Sequence, residues 1–125
     1  MRRGPGVLAQ QRGSAGEDAA TKYLTGLGYL ILDRNFKTRF GEIDIVARDL
    51  KTNVFVEVKR RESTAHGRAE DFVSPSKMRK VVRAARIYAA KHGLSESLTR
   101  FDVVAIDVID GREQVRHHKG AFDAR

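Results

Sequence analysis

Two segments of alternating residues carry the side chains best suited to chemistry. Residues 42–47 and 54–59 each alternate aliphatic and charged positions, which is the period of a β-strand with one buried face. The short polar connection between them predicts an antiparallel hairpin. If the hairpin turns at residues 50–51, Asp44 lies opposite Glu57 on neighbouring strands. The spacing therefore predicts a carboxylate pair on one face of the hairpin.

Facing carboxylates repel each other and destabilise a strand pair unless a cation lies between them. Mg²⁺ or Mn²⁺ fits here because these ions bind oxygen ligands, commonly one or two carboxylates with waters and substrate phosphates. Lys59 follows Glu57 by two residues and faces the same way. A metal ion and a lysine together supply a Lewis acid, a more acidic water and a positive charge beside phosphoryl oxygens. The set predicts phosphodiester hydrolysis; the alternative is a solvated strand face that merely carries charge.

The segments before the hairpin predict a helix and a strand. Ser14 and Glu17 have capping-box spacing, and the apolar spacing of Ala20, Leu24 and Leu27 predicts a helix over residues 15 to about 27. Residues 29–32 are typical of a short buried strand. The basic stretch that follows, residues 34–40, is predicted to be a loop.

The segments after the hairpin predict a second helix and one or two strands. Ser74 followed by proline predicts a helix start, and Gly93 its end. Residues 101–108 predict an apolar strand, and residues 114–119 an edge strand. The predicted fold is α/β, a mixed sheet of four or five strands flanked by helices in the order α-β-β-β-α-β. We predict a disordered basic tail over residues 1–13, one domain over 14–120 and a tail over 121–125.

Composition limits the function further. The chain has 125 residues, 24 Lys and Arg against 16 Asp and Glu, and no cysteine. Disulfide scaffolds, thiolate zinc sites and cysteine nucleophiles are therefore excluded. We find no apolar stretch that spans a membrane and no signal peptide, so we expect a cytoplasmic protein without a membrane partner. The formal charge of +8 favours polyanionic partners.

The hairpin residues resemble the D…ExK pattern of the restriction-endonuclease-like nuclease superfamily. More closely, the chain resembles the bacterial YraN family of predicted endonucleases, which are related to archaeal Holliday junction resolvases. The segments that carry the resemblance are Gly41-Glu42-Ile43-Asp44 and Phe55-Val56-Glu57-Val58-Lys59 with Arg61, together with Gly16-Glu17, Gly28-Tyr29, Arg34-Asn35, Lys77 and Arg100-Phe101-Asp102. It covers residues 13–107. One departure is Ile43, where many superfamily members have proline before the first acid.

The resemblance implies roles for particular residues. It implies that Asp44 and Glu57 bind the metal, that the main-chain carbonyl of Val58 completes the coordination, and that Lys59 assists the nucleophile. It also implies that Glu17 reaches the site as a further ligand or water-holder. Capping of the first helix explains a carboxylate at Glu17 equally well, and the two roles are compatible.

Basic residues predict a surface for nucleic acid. The second helix has no acidic residue on its polar face, which favours contact with phosphates over a merely solvated face. The resemblance implies that Lys77, near the start of this helix, neighbours the site. The residues predicted to contact nucleic acid are Arg34, Arg39, Arg61, Lys77, Arg79, Lys80 and Arg83.

Other polar residues are predicted to have structural or surface roles. Glu42 is interpreted as a structural partner of the hairpin, and Asp102 as a hydrogen-bonded acid beside Arg100 and not a third ligand. The histidines lack the spacing of a ligand set and are predicted to lie on the surface. They are His66, His92, His117 and His118.

These observations predict a Mg²⁺- or Mn²⁺-dependent endonuclease that acts on DNA, with Asp44, Glu57, Lys59 and Glu17 at its site. No base-reading motif is present, so we expect selectivity for DNA shape, such as a junction or branch. Relationship to resolvases would imply a twofold homodimer, because resolving a junction needs two symmetrical nicks. The alternative is a non-catalytic module that binds branched or damaged DNA or RNA.

Overall fold

A computed structural model describes residues 15–63 and 65–124. The described residues form two helices and five strands, with a short 3-10 helix, Ala69–Phe72, before the second helix. They are α1 (Ala15–Gly26), β1 (Leu30–Thr38), β2 (Gly41–Asp49), β3 (Thr52–Arg61), α2 (Pro75–Lys91), β4 (Thr99–Ile109) and β5 (Arg112–Phe122). The predicted tail over residues 1–13 and the capping residue Ser14 lie outside the described residues.

The strands form one mixed sheet in the order β1-β2-β3-β4-β5. Strands β3 and β4 are parallel, with α2 in the connection between them, and the other neighbours are antiparallel. The predicted fold class is therefore confirmed, and the edge strand predicted at residues 114–119 is the longer β5. No helix of residues 15–63 and 65–124 is long and apolar enough to cross a membrane.

Apolar side chains on both faces of the sheet form two cores, which makes the fold a three-layer sandwich. The core under α1 contains Ala20, Leu24, Tyr29, Ile45, Ala47, Val54, Val56, Val104 and Ile106. The core under α2 contains Ile43, Val46, Phe55, Val81, Val82, Ala84, Ala85, Tyr88 and Phe101. Because β3 and β4 contribute side chains to both cores, their sequences are nearly continuous apolar runs.

Three predictions before the hairpin are wrong. Residues 34–38 belong to β1 and not to a basic loop, because an edge strand accepts basic side chains that point to solvent. Because β1 lies at the edge of the sheet, it is also not the buried strand that was predicted, and Leu30 is 59% exposed. Leu27 lies past the end of α1 and is exposed, because Gly28, with φ of 91°, directs the chain away from the helix.

The hairpin has the predicted register. Ile45 pairs with Val56 and Asp49 with Thr52, so the turn contains only Leu50 and Lys51 and is shorter than the predicted polar connection. The strict alternation predicted for β2 fails at one place. Ile43 packs under α2, whereas Ile45 packs under α1. The alternation of side chains between the two faces of the sheet is therefore interrupted at Asp44.

One histidine is buried, contrary to the prediction that all four lie on the surface. The His117 side chain is 4% exposed and packs edge-on against Tyr23 and Tyr29. Its Nε2 lies 2.7 Å from Asp102 Oδ2. Alternation along β5 turns His117 toward the α1 layer, where this polar contact satisfies the ring. Asp102 also accepts two hydrogen bonds from Arg100, which confirms its interpretation as a structural acid.

Candidate active site

The pairing of β2 with β3 ends next to Asp44, where the side-chain alternation of β2 is interrupted. The ladder ends at Ile45 and Val56, although both strands continue beyond it. An open cavity of about 560 Å³ lies at this end of the hairpin. Its lining comes from both helices, both strands and the 3-10 helix: Ala15, Gly16, Glu17, Glu42, Asp44, Glu57, Val58, Lys59, Arg60, Phe72 and Lys77. The predicted catalytic residues Asp44, Glu57, Lys59 and Glu17 therefore line one cavity.

Asp44 bridges the gap between β2 and β3 with its side chain. Its Oδ2 accepts a hydrogen bond of 2.8 Å from the Val58 backbone N–H. In a continued antiparallel ladder that N–H would donate to a main-chain carbonyl of β2. The side chain of Asp44 thus substitutes for the ladder, which keeps the backbone of β3 satisfied while the strands part. This contact places the Asp44 carboxylate against the backbone of Val58, the residue whose carbonyl is the predicted ligand.

Glu57 is deeply buried in the cavity, with 7% of its side chain exposed. Burial, and then the charge of Asp44, raise the pKa of Glu57 to about 8. Burial also raises the pKa of Asp44, and the two carboxyl groups are hydrogen bonded to each other. Without a bound cation, the protonated form of Glu57 is therefore favoured at neutral pH.

Glu17 reaches the same cavity from the first turn of α1. The helix lies tight against β3 there, since a Cβ atom at Gly16 would lie 3.1 Å from Arg60 Cβ and 3.4 Å from Val58 Cγ1. Burial, followed by the charge of Asp44, raises the pKa of Glu17. Arg34 Nη2 lies 3.7 Å from Glu17 Oε1, too far for a hydrogen bond. The helix thus presents Glu17 to the two hairpin carboxylates.

Two residues of the cavity region were missed as site residues by the sequence reasoning. Glu42, interpreted as a structural partner, lines the cavity, and Lys77 Nζ lies 4.0 Å from its Oε1. Asn35 of β1 has φ of 55° and hydrogen bonds to Glu17, which lowers the pKa of that carboxyl group against the effect of burial. Asparagine tolerates the left-handed region better than most residues, but its position in a predicted loop hid that signal.

The oxygen atoms at this cavity fit a hard divalent cation. Glu17 Oε1 and Glu57 Oε1 are buried and have no hydrogen-bond partner among the described residues, which is costly for carboxylate oxygens. Within residues 15–63 and 65–124, no three His, Asp or Glu side chains are already spaced as a metal-binding group. Mg²⁺ commonly uses only one or two carboxylates, with waters and other oxygens. Asp44, Glu57 and the Val58 carbonyl would hold it, with Glu17 beside them.

Two lysines contribute positive charge to the cavity, in addition to Arg60. Lys59 lines it from β3, two residues beyond Glu57. Lys77, at the start of α2, lies with its Nζ 3.9 Å from Glu57 Oε2. Ser74 caps this helix through a bond from the Lys77 N–H to its Oγ, which fixes the first turn above the sheet. The placement implied for Lys77 by resemblance agrees with this geometry.

The other basic residues predicted to contact nucleic acid do not form a single surface. Arg79, Lys80 and Arg83 are exposed on α2. Arg34 instead lies on the α1 side and bonds to Asp18 Oδ1 at 2.7 Å.

Three of the basic residues contact two exposed aromatic rings near the cavity. The Arg61 guanidinium lies 4.0 Å from the centre of the Phe72 ring. The Arg39 guanidinium lies 5.0 Å from the Phe40 ring, and that of Arg83 lies 5.9 Å from the same ring. Cations and aromatic rings therefore border the cavity on two sides, at the 3-10 helix and at the β1–β2 turn.

The three-layer sandwich, with carboxylates where two strands of a mixed sheet part, is consistent with a restriction-endonuclease-like core. Comparison with known proteins gives the family. The model described as "Uncharacterised protein family UPF0102" matches residues 16–106, and the chain belongs to this family. The matched residues include all four predicted catalytic positions.

Full-length relatives support the same assignment. A UPF0102 protein of Anaeromyxobacter dehalogenans is 48% identical over 120 residues, covering 96% of this chain and 90% of the relative. One from Persephonella marina is 42% identical over 112 residues, covering 90% of this chain and 93% of the relative. One from Myxococcus xanthus is 40% identical over 124 residues, covering 99% of this chain and 98% of the relative. The similarity therefore extends over the whole domain and not only the hairpin.

Proposed function

We propose that this protein is a metal-dependent endonuclease that hydrolyses phosphodiester bonds in DNA. The observation that carries the proposal is the buried pair Asp44 and Glu57 at the parted strands, beside Lys59. Two adjacent buried acids destabilise a fold even with Lys77 Nζ 3.9 Å from Glu57 Oε2, so their assembly in one cavity favours a functional role. The resemblance to the YraN family of predicted endonucleases supports the same reading.

The roles of the side chains follow from their positions. Asp44 and Glu57, with the Val58 carbonyl, would hold Mg²⁺ or Mn²⁺, which supplies a Lewis acid for the phosphoryl oxygens and a more acidic water. Glu17 accepts a hydrogen bond from the attacking water and orients it. Lys59 places a positive charge beside the oxygens that become more negative as the bond breaks. Lys77 keeps Glu42 and Glu57 from repelling the phosphate.

DNA is the proposed substrate because the chain is strongly basic and exposed cations lie on the α2 side of the cavity. Such contacts position a backbone without reading sequence, so we propose selectivity for DNA structure, with a junction or branch as the target. Two symmetrical nicks in a junction would require a twofold homodimer. The cytoplasm is the compartment where a protein with this substrate would act.

The experiment is cleavage of labelled four-way junction, flap, single-stranded and duplex DNA in Mg²⁺ or Mn²⁺. We expect a branched substrate to be cut. Asp44→Asn should abolish cutting and weaken Mn²⁺ binding measured by calorimetry, because it removes a ligand charge. Lys59→Met should slow cutting by about 100-fold or more while DNA binding is retained.

Matched controls separate the site from general charge effects. Asp110→Asn alters an exposed acid in the β4–β5 turn, and Lys51→Met an exposed lysine in the β2–β3 turn, at the end of the hairpin opposite the cavity. Both controls should cut like the wild type. Wild-type protein that cuts no DNA structure, and whose DNA binding is unchanged by Asp44→Asn, would instead be the non-catalytic binding module.

A further inference from the structure

A second cavity of about 410 Å³ adjoins the candidate active site at the β1–β2 turn. Glu42 and Lys77 line both cavities, so the two share a wall. The remaining lining of the second cavity is Lys37, Thr38, Arg39, Phe40, Gly41 and Lys80. Of the described residues that line it, four are cationic and one is acidic. The proposed hydrolysis does not use this cavity.

Phe40 projects from the turn into solvent. It is 42% exposed, although a phenylalanine of a small domain is normally buried. Arg39 and Arg83 place their guanidinium groups at 5.0 and 5.9 Å from the ring centre. An exposed aromatic ring flanked by cations is the arrangement that binds unpaired nucleotides, since the ring stacks on a base and the cations contact the phosphates.

The turn that carries Phe40 is held in place. Thr38 Oγ1 accepts hydrogen bonds of 3.1 Å from the N–H groups of Phe40 and Gly41. A Cβ atom at Gly41 would lie 2.8 Å from Lys80 Cβ and 2.9 Å from the Lys80 carbonyl oxygen, so the turn is packed directly on α2. A ring on a fixed turn loses little conformational entropy when it stacks.

We propose that Phe40 stacks on an unpaired base of the DNA next to the scissile phosphate. This inference rests on the proposed nuclease function and narrows its substrate to DNA with an unstacked nucleotide beside the cut, as in a flap, a fork or a branch point. In a continuous duplex both faces of every base are covered by neighbours, so Phe40 has nothing to stack on. The cations Lys37, Arg39 and Lys80 bind the phosphates on either side of that base.

The test is a double-mutant cycle between protein and DNA. Binding of wild type and Phe40→Ala to a forked DNA is measured by fluorescence anisotropy in EDTA, where no cleavage occurs. One abasic site is moved position by position through the unpaired arm. For wild type, one position should weaken binding by about 5- to 100-fold when its base is removed. Phe40→Ala should bind the intact fork that much more weakly, and the same abasic site should then have no effect.

Controls establish that the effect belongs to the ring. Phe40→Tyr keeps the aromatic face and should behave like wild type in the cycle. Leu50→Ala alters a residue that is 90% exposed at the other end of β2 and should leave every affinity unchanged. Because Phe40 is exposed, Phe40→Ala should keep the wild-type circular dichroism spectrum.

The outcomes separate this inference from the proposed function. If Phe40→Ala binds the fork like wild type, or if the abasic site weakens both proteins equally, the stacking inference is overturned whether or not the protein cuts DNA. If the cycle shows coupling but no DNA is cut in Mg²⁺ or Mn²⁺, the nuclease proposal fails while the stacking inference stands.

Discussion

Glu57→Gln offers a test of the electrostatics of the cavity that does not require a substrate. The folded protein holds a proton on Glu57 with a pKa of about 8, because burial and Asp44 disfavour the charged form. In the unfolded chain the pKa returns to about 4.5. The folded state therefore binds more protons between these values, and the stability due to this proton is complete below pH 4.5 and lost as pH rises through about 8.

The size of the effect follows from the same two values. Each pKa unit corresponds to about 1.4 kcal/mol, so the interval sets an upper bound of about 5 kcal/mol. We expect about 2 to 3 kcal/mol of the free energy of unfolding to be lost between pH 5 and pH 9, because a charged Glu57 relaxes toward the open side of the cavity. Glutamine has no proton to lose, so Glu57→Gln should show no such loss.

Guanidinium unfolding in EDTA, followed by far-ultraviolet circular dichroism because the chain has no tryptophan, gives the free energy at each pH. Glu62→Gln is the control, since Glu62 lies just beyond the same strand and its side chain is largely exposed. It should follow the wild-type curve. Equal pH dependence in wild type and Glu57→Gln would refute the view that Glu57 is held protonated by its surroundings.

Three further predictions concern Glu70, Asn35 and Gly41. Arg116 lowers the pKa of Glu70 to about 2, so the stability from this pair is present above pH 4.5 and lost as pH falls toward 2. Glu70→Gln should remove this pH-dependent loss of about 1 kcal/mol, measured by unfolding in acid. Asn35 has positive φ, so Asn35→Ala should be about 1 kcal/mol less stable than Asn35→Gly by chemical denaturation. Gly41→Ala should lower the thermal midpoint by several degrees, because its Cβ would meet the backbone of Lys80.

The sequence was sufficient to predict the hairpin, its register and the acids on it. The two-residue period of β2 and β3 assigns Ile45 and Val56 to the same face, and a slip by one residue would move one of them to the opposite core. The sequence predicted one buried face, whereas the structure buries both. The same reasoning failed where the chain leaves that period. At Asp44 the strand changes its facing because a side-chain contact to Val58 replaces the ladder, and no pattern of residue types encodes such a contact.

Long-range contacts explain the other failures. Alternation along β5 cannot reveal that His117 is buried, because the residues that cover it come from elsewhere in the chain: Tyr23 from α1 and Tyr29 from the position just before β1. Its partner Asp102 lies on the neighbouring strand. Similarly, Glu17 reaches the cavity only because Gly16 lets α1 approach β3. A sequence gives the helix face but not the distance between the layers.

The buried acids of this protein fall into two groups, and the difference between them argues for function. Asp102 and Asp107 each have an arginine partner and a backbone N–H donor. Burial alone would raise the pKa of Asp102, but hydrogen bonds from His117 and Arg100 lower it to about 2.

Glu57 and Glu17, in contrast, keep buried oxygens without a hydrogen-bond partner among the described residues, and burial raises the pKa of each. A fold that satisfies its structural acids so fully can accommodate carboxylates by pairing them with arginine. The unpartnered carboxyl oxygens of Glu17 and Glu57 instead lie in one open cavity, which Lys59 also lines. Such a concentration of unfavourable electrostatics destabilises the protein in the absence of a ligand, and a bound cation with its phosphate would remove the penalty.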